Sequence, residues 1–143
     1  MRDINKVFIT GITGFAGSHL AEYLAFNHPS VEISGLVRCS SSRENLNFIK
    51  DKVKLFEGNL LDYNSIFYAL EKTKPDCIFH LAANTFVQYS FTNPISALFD
   101  NGLGTIHLLE AVRFLKSMDN YNPIIGVISS SEVYGEVEKE DLP

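Results

Sequence analysis

The eight residues TGITGFAG, numbered 10–17, follow a short apolar run, KVFI, and lead into a segment with helical spacing of its apolar residues. Three glycines in so short a stretch restrict the fold, because glycine loses more backbone freedom on folding than any other residue. A strand, a glycine turn and a helix start together form an anion cradle. The first helical N–H groups there lack intrahelical partners, and the macrodipole adds positive charge. We therefore expect a phosphate-bearing ligand at this turn.

The three glycines are expected to have different roles. Gly11 makes the tight turn, Gly14 allows close approach of a diphosphate, and Gly17 lets the helix pack against the first strand. The spacing is GxxGxxG, and its position between a strand and a helix favours dinucleotide binding over a plain strand–helix turn. The other residues predicted to bind the cofactor here are Thr13, Phe15 and Ala16.

Short apolar runs alternate with segments of helical periodicity along the whole chain. The alternation predicts a parallel sheet with helices on both faces. Several runs are apolar on successive residues, which is typical of strands covered on both faces. We predict a doubly wound α/β fold of the Rossmann type, in one dinucleotide-binding domain over residues 1–143. Strands are expected at 6–10, 31–38, 53–58, 76–83 and 124–130, and helices at 18–27, at 42–49, after Asp62 and from Asn93.

Each of the three longer helices is expected to bury one apolar stripe. Asp62 can cap the middle one, and Pro94 suits the first position of the last one. The stripes are Leu20, Tyr23 and Leu24; Ile66, Ala69 and Leu70; and Ile95, Leu98, Ile106, Leu109 and Val112.

The end of the second strand indicates which dinucleotide binds. Sites that prefer NAD place an acid there, to hold the ribose 2′-hydroxyl. This chain has Arg38 in that place, in GLVRCSSSR. Because a guanidinium can pair a 2′-phosphate bidentately, we expect NADP rather than NAD. The alternative is that Arg38 stacks on adenine as a solvated strand-end charge, with little selectivity.

Charge and composition argue against several function classes. The formal net charge is −5, whereas nucleic-acid domains usually carry a basic stripe. No run reaches the length of a membrane span, and the N-terminus does not resemble a signal peptide. The two cysteines, Cys39 and Cys77, are expected to be buried or half-buried thiols in a reducing cytoplasm. The four histidines show no metal-ligand spacing, and His80 is expected to be a hydrogen-bonded core residue.

Five segments in order resemble motifs of the extended short-chain dehydrogenase/reductase family that acts on nucleotide sugars. Within that family the pattern is most similar to the GDP-mannose 4,6-dehydratases, which use NADP. Asn59 departs from the family pattern, which has an acid facing adenine at that place. The segments are TGITGFAGSHLAEYL, GNLLD, HLAANTFVQYSFTNP, NGLGTIHLLEAV and SSSEVYG.

The resemblance implies roles for several residues. Ser130 takes the place of the residue that hydrogen-bonds the sugar 4-hydroxyl, and Glu132 that of the acid/base that removes the C5 proton and helps water leave from C6. A polar loop and a surface carboxylate are the alternatives for these two residues. Thr85 and Ser131 are assigned to the substrate. The remaining cofactor residues are Asn59, Leu60, Leu81, Ala82, Ala83 and Ser129.

No Tyr-x-x-x-Lys pair lies downstream of Glu132, where the family has it, and the family's sugar-nucleotide domain is absent from this sequence. We therefore expect the N-terminal part of a nucleotide-sugar 4,6-dehydratase, inactive alone, with its fifth strand near an open edge. An epimerase, decarboxylase or reductase of the family is one alternative. A stand-alone dinucleotide-binding module or an interaction protein is another. Relatives often dimerise through two helices, one of which would be residues 93–118, so a homodimer is also considered.

Overall fold

The computed structural model describes residues 3–130, 133 and 135, and it shows five parallel strands with helices packed on both faces. The doubly wound fold is therefore confirmed. The strands are β1 Lys6–Thr10, β2 Glu32–Val37, β3 Val53–Glu57, β4 Cys77–His80 and β5 Ile124–Val127. The helices are α1 Phe15–Asn27, α2 Tyr63–Thr73, α3 Val87–Thr92, α4 Pro94–Leu98 and α5 Gly104–Asp119, with a 3₁₀ turn at Glu44–Leu46 and a π-helical turn at Phe99–Leu103.

The strand order is β3-β2-β1-β4-β5, so the direction of winding reverses between β1 and β4. In the register of these two strands Thr10 lies opposite His80, and both residues are the last of their strand. Open parallel sheets bind ligands beyond the carboxyl ends of their strands at such a reversal. The topology therefore places a crevice directly after Thr10 and His80.

The core consists of two layers, one on each face of the sheet. Side chains of β1 alternate between them: Val7 and Ile9 belong to the layer under α1, whereas Phe8 belongs to the layer under α2 and α5. Burying each such side chain contributes about 1.5–3 kcal/mol. Packing on both faces of the sheet therefore holds β1 in place, and it also sets where the turn after Thr10 begins.

Helix α1 buries its small residues rather than its large ones. Its buried residues are Gly17, Ser18, Ala21 and Ala25. The predicted stripe is wrong at Tyr23, which is 56% exposed. Small side chains on the inner face let the helix approach the sheet closely, and this approach brings its first turn next to the strand end.

Helix α2 follows the prediction. The Asp62 side chain accepts a hydrogen bond from the Asn64 amide at 3.1 Å, which satisfies one N–H of the first turn. Ile66, Ala69 and Leu70 are fully buried, as expected from their spacing. Local signals were sufficient here because the cap and the stripe lie within one uninterrupted helix.

The predicted long helix is divided into α4, the π-helical turn and α5. Its predicted stripe is wrong over most of its length: Ile95 is 69% exposed, Leu98 68%, and Ile106 and Leu109 are exposed too. Only Val112 of that stripe is buried. A π-helical turn has more residues per turn than an α-helix, so one periodic stripe cannot continue through it. The buried residues are Ala97 in α4, before the π-helical turn, and Gly104, Leu108, Ala111, Val112 and Leu115 in α5, after it.

Strand β5 is the last strand of the sheet and pairs with β4 alone among the described residues. In the described part of the chain β5 is therefore an edge strand, and Ile124 and Val127 are exposed although the run is apolar on successive residues. Cys77 is buried as predicted, whereas the prediction for Cys39 is wrong because this thiol is exposed. Within the described part of the chain, no helix has both the length and the apolar character to cross a membrane.

Candidate functional site

A crevice of about 440 Å³ lies beyond the carboxyl ends of β1, β2 and β4. It runs from the glycine turn towards the loops that follow β2 and β3 on one side and β4 on the other. The structure brings most of the predicted cofactor residues together in its walls. Those that line it are Gly11, Thr13, Gly14, Arg38, Asn59, Leu60, Leu81, Ala82 and Ala83, together with Thr85 of the predicted substrate residues.

The glycine turn forms the floor of the crevice. Gly11 has φ +74°, a left-handed conformation that favours glycine, and a Cβ there would lie 2.8 Å from the Ala82 nitrogen. The Gly14 amide donates to the Gly11 carbonyl at 2.9 Å, and Gly14 then begins α1 without any side-chain cap. The first turn of α1 therefore presents backbone amides that no side chain of its cap position satisfies.

Gly17 has the expected packing role with a different partner. A Cβ on Gly17 would overlap the Gly11 carbonyl oxygen and would lie 2.8 Å from the Ile12 Cα. At Gly17 the helix thus contacts the turn that follows β1 rather than β1 itself. This contact sets the position of the helix start relative to the crevice floor.

Several predicted residues lie outside the crevice walls. Phe15 is 81% exposed, and Ala16 beside it is exposed too. Ser129 and Ser130 follow β5 and are exposed. Ser131 and Glu132 lie outside the described residues.

The end of β2 is a charged corner of the crevice. Arg38 lines it, and a turn closed by the Ser41 amide on the Arg38 carbonyl, at 3.0 Å, brings Ser41 to the same wall. Glu57 lies at the end of the neighbouring strand β3. A hydrogen bond to Glu57 raises the pKa of the exposed Cys39 thiol, while the charge of Arg43 acts in the opposite direction. Two guanidinium groups and one carboxylate thus surround this corner.

The loop after β3 forms the next part of the wall and is held by α5. The Leu60 carbonyl accepts a hydrogen bond from His107 Nδ1 at 2.8 Å. A Cβ on Gly104 would lie 2.9 Å from the Leu60 Cβ, so the helix and the loop are in close contact. The side chain of Asn59, the residue that departs from the family pattern, accepts from the Leu61 amide at 3.0 Å. The asparagine therefore stabilises the loop itself.

His80 and its neighbours support the wall that follows β4. The ring is only 4% exposed and lies between Thr10 Oγ1, 2.8 Å from Nδ1, and Thr105 Oγ1, 3.0 Å from Nε2. Burial lowers the pKa of His80, so the ring is neutral at pH 7. The expectation of a hydrogen-bonded core histidine is confirmed. Four residues after His80, the Asn84 backbone and the Asn101 side chain exchange two hydrogen bonds, at 2.7 and 3.0 Å.

Sequence reasoning missed part of the lining. Leu36, Val37 and Gly58 also line the crevice. They directly precede Arg38 and Asn59, which the sequence did predict, so the prediction missed them by only one or two positions. Asn84 follows the predicted Leu81–Ala83 run in the same way. Asp100 is different, because it reaches the crevice from the π-helical turn, which no local pattern indicated.

The arrangement suits an elongated ligand with a charged middle. Backbone amides form the floor, a cationic corner lies at the end of β2, and the loops after β3 and β4 line the walls with a mixture of small apolar and polar residues. Among the described residues, no three His, Cys, Asp or Glu side chains are grouped as metal ligands. The expectation of no metal stays a prediction.

The sequence matches the family model described as GDP-mannose 4,6 dehydratase over residues 8–142. It is 36% identical over 142 residues to a dTDP-D-glucose 4,6-dehydratase of Dictyostelium discoideum, an alignment that covers 96% of this chain and 32% of that protein. It is 33% identical to the human GDP-mannose 4,6 dehydratase, over 94% of this chain and 38% of that protein. The chain therefore spans about a third of the length of these curated relatives.

Solved structures with the same fold include two UDP-glucose 4-epimerases in complex with NAD. The Thermus thermophilus enzyme matches with a TM-score of 0.77 and 28% identity, over 95% of this chain and 41% of that one. The Brucella ovis enzyme matches with a TM-score of 0.79 and 26% identity, over 94% of this chain and 38% of that one.

Proposed function

Because this chain belongs to the GDP-mannose 4,6-dehydratase family, we propose that it is the NADP-binding N-terminal part of a nucleotide-sugar 4,6-dehydratase. The chain spans 32–38% of the length of the relatives quoted above, so the activity of the whole protein is part of the proposal. The observation that carries it is the uncapped start of α1 above a glycine turn at the reversal of strand order. A Cβ on Gly11 would press on the Ala82 backbone, so the glycine turn and the loop after β4 meet closely beneath the helix start. Free backbone amides at such a helix start fit a diphosphate.

NADP is the cofactor we propose, with NAD as the alternative. Arg38 lines the crevice at the end of β2, where the adenosine ribose would lie in this fold. A guanidinium there can pair a 2′-phosphate with two hydrogen bonds. Solved relatives of this fold bind NAD, so the choice rests on Arg38 and the charges around it.

The proposed reaction removes water from a nucleotide hexose to give its 4-keto-6-deoxy form. A bound nicotinamide would supply the redox chemistry, accepting a hydride from C4 and returning one to C6. Ser130 would hydrogen-bond the 4-hydroxyl, whose proton would go to the tyrosine of the family's Tyr-x-x-x-Lys pair in the longer protein. Glu132 would take the C5 proton and give a proton to the departing C6 hydroxyl, and C5 would be reprotonated with the proton first taken from the 4-hydroxyl as hydride adds to C6. Thr85 and Ser131 would contact the sugar, and Ser129 the cofactor.

The first test is a thermal-shift titration of this chain with NADP and with NAD. A ligand that binds the native state alone stabilises it by about 2.7 kcal/mol at a concentration of 100 times Kd. For a domain of this size we expect the melting temperature to rise by roughly 8 °C with NADP. Absence of a shift with both cofactors would contradict the proposal.

Gly14→Val provides the matched control for that titration. A Cβ on Gly14, whose φ is −73°, would meet only the Gly11 carbonyl oxygen within 4 Å, at 3.2 Å, so the two atoms would have to separate by only a few tenths of an ångström. The larger side chain would occupy the space above the first turn of α1. We expect the variant to fold and to lose most of the NADP-dependent shift. If Gly14→Val kept the full NADP-dependent rise in melting temperature, the cofactor would bind away from the glycine turn.

The second test uses a longer protein that contains this region together with a sugar-binding part. With GDP-mannose and NADP we expect a 4-keto-6-deoxy product, detected by mass spectrometry as loss of one water. An epimerase is the second candidate, since the solved neighbours quoted above are UDP-glucose 4-epimerases. UDP-glucose converted without loss of mass would favour that candidate. No dehydrated product from any nucleotide hexose would end the dehydratase proposal.

A further inference from the structure

A continuous chain of hydrogen bonds crosses the carboxyl ends of β1 and β4, with His80 at its centre. On one side of the ring, Thr10 Oγ1 lies 2.8 Å from Nδ1 and accepts the Ala82 amide at 3.2 Å. On the other side, Nε2 lies 3.0 Å from Thr105 Oγ1, whose hydroxyl donates to the Asn101 carbonyl at 2.7 Å. The chain therefore joins two strands, the π-helical turn and α5.

The known donors and acceptors determine which group donates in each hydrogen bond of this series. The Thr105 hydroxyl uses its proton on a carbonyl, so its oxygen accepts from the Nε2–H of His80. A neutral ring that carries its proton on Nε2 leaves Nδ1 as an acceptor. The Thr10 hydroxyl then donates to Nδ1, which directs an oxygen lone pair towards the Ala82 amide.

The Ala82 end of the chain belongs to the crevice itself. Ala82 lines it, and the Ala82 nitrogen lies where a Cβ on Gly11 would meet it at 2.8 Å. The loop after β4 and the glycine turn are therefore in direct contact. Any movement of the Ala82 peptide changes the distance between the floor and the wall of the crevice.

We propose that His80 is a positioning residue for the crevice, holding the Ala82 peptide against the glycine turn through the Thr10 hydroxyl. The inference rests on the proposed function in so far as the ligand is a nicotinamide dinucleotide. His80 is buried and is not among the lining residues, so it acts through Thr10 and Ala82 rather than on the ligand.

Three substitutions of His80 distinguish the hydrogen bond at Nδ1, to Thr10, from the hydrogen bond at Nε2, to Thr105. Asparagine places an amide oxygen near the Nδ1 position, glutamine places an amide nitrogen near the Nε2 position, and phenylalanine supplies neither. His80→Asn therefore keeps the acceptor for Thr10, whereas His80→Gln and His80→Phe lose it. We expect NADP affinity within about threefold of the unsubstituted chain for asparagine, and about tenfold weaker for the other two.

Amide hydrogen exchange at Ala82 gives a readout that needs no cofactor. The Leu81 amide, which donates to the Thr10 backbone carbonyl at 3.2 Å, is the internal reference. Relative to Leu81, exchange at Ala82 is expected to be about tenfold faster in His80→Gln and His80→Phe and nearly unchanged in His80→Asn. Urea unfolding of each variant corrects both rates for global stability.

Thr10→Val tests the same link from its other end, because valine keeps the shape and removes the hydroxyl. It is expected to reproduce the faster Ala82 exchange, and the double variant with His80→Phe is expected to be no worse than the poorer single variant. Equal effects of all three His80 variants, or unchanged Ala82 exchange in Thr10→Val, would overturn the positioning role. A chain that binds neither NADP nor NAD would defeat the proposed function alone, since the exchange pattern is measured without ligand.

Discussion

Gly17→Ala is expected to lower the free energy of unfolding by about 3 kcal/mol. The new methyl group would overlap the Gly11 carbonyl oxygen and would come within 2.8 Å of the Gly11 carbonyl carbon and the Ile12 Cα. All three are backbone atoms of a tight turn, so they cannot move aside as a flexible side chain would. Urea denaturation followed by circular dichroism measures the loss.

Gly102→Ala is the matched control for Gly17→Ala. Gly102 is also helical, but a Cβ there would meet only the Leu98 Cδ1 within 4 Å, at an ordinary contact distance of 3.6 Å. The substitution is expected to be neutral or to stabilise the chain by up to about 1 kcal/mol, through helix propensity. If both variants had the same stability, α1 would not be packed on the glycine turn as described.

Arg38→Ser is expected to weaken NADP binding by about 10- to 100-fold and NAD binding by less than about threefold. The difference arises because the guanidinium would make charge-assisted hydrogen bonds to the 2′-phosphate, a group that NAD lacks. Isothermal titration of the chain with each cofactor, at one fixed salt concentration, measures the ratio of the two affinities. Fixed salt is required because exposed charges are screened.

Two further variants control the Arg38 experiment. Arg43→Ser removes the same charge from a residue that does not line the crevice, and a loss of less than about threefold is expected. Glu57→Gln removes the carboxylate of this corner and is expected to strengthen NADP binding a few-fold. If Arg38→Ser weakened both cofactors equally, the guanidinium would stack on adenine without selecting the phosphate.

The features that sequence predicted well depend on signals within a few residues. Strand β1 reads as a buried run followed by glycine, and Asp62 caps the helix whose stripe begins at Ile66. Gly11 was expected in a tight turn and has a positive φ. In each case the physical cause, a backbone conformation or a local hydrogen bond, is complete within one element.

The features that sequence did not predict depend on how distant elements meet. The π-helical turn changes the phase of the helix after Leu98, so the apolar residues before and after it face different directions. It also brings Asp100 to the crevice. The hydrogen bond between Thr10 and His80 joins residues 70 positions apart, and their pairing becomes visible only once the strand register is known.

The strand order has a consequence for how the chain matures during synthesis. The first strand is central, so the second and third strands can join one side of it as soon as they leave the ribosome, because domains form from the N-terminus onwards at roughly 5–20 residues per second. The other side stays uncovered until residues 77–80 have been made. The crevice needs still later residues, Asp100 in its lining and Thr105 behind His80, and is therefore among the last parts of this region to be assembled.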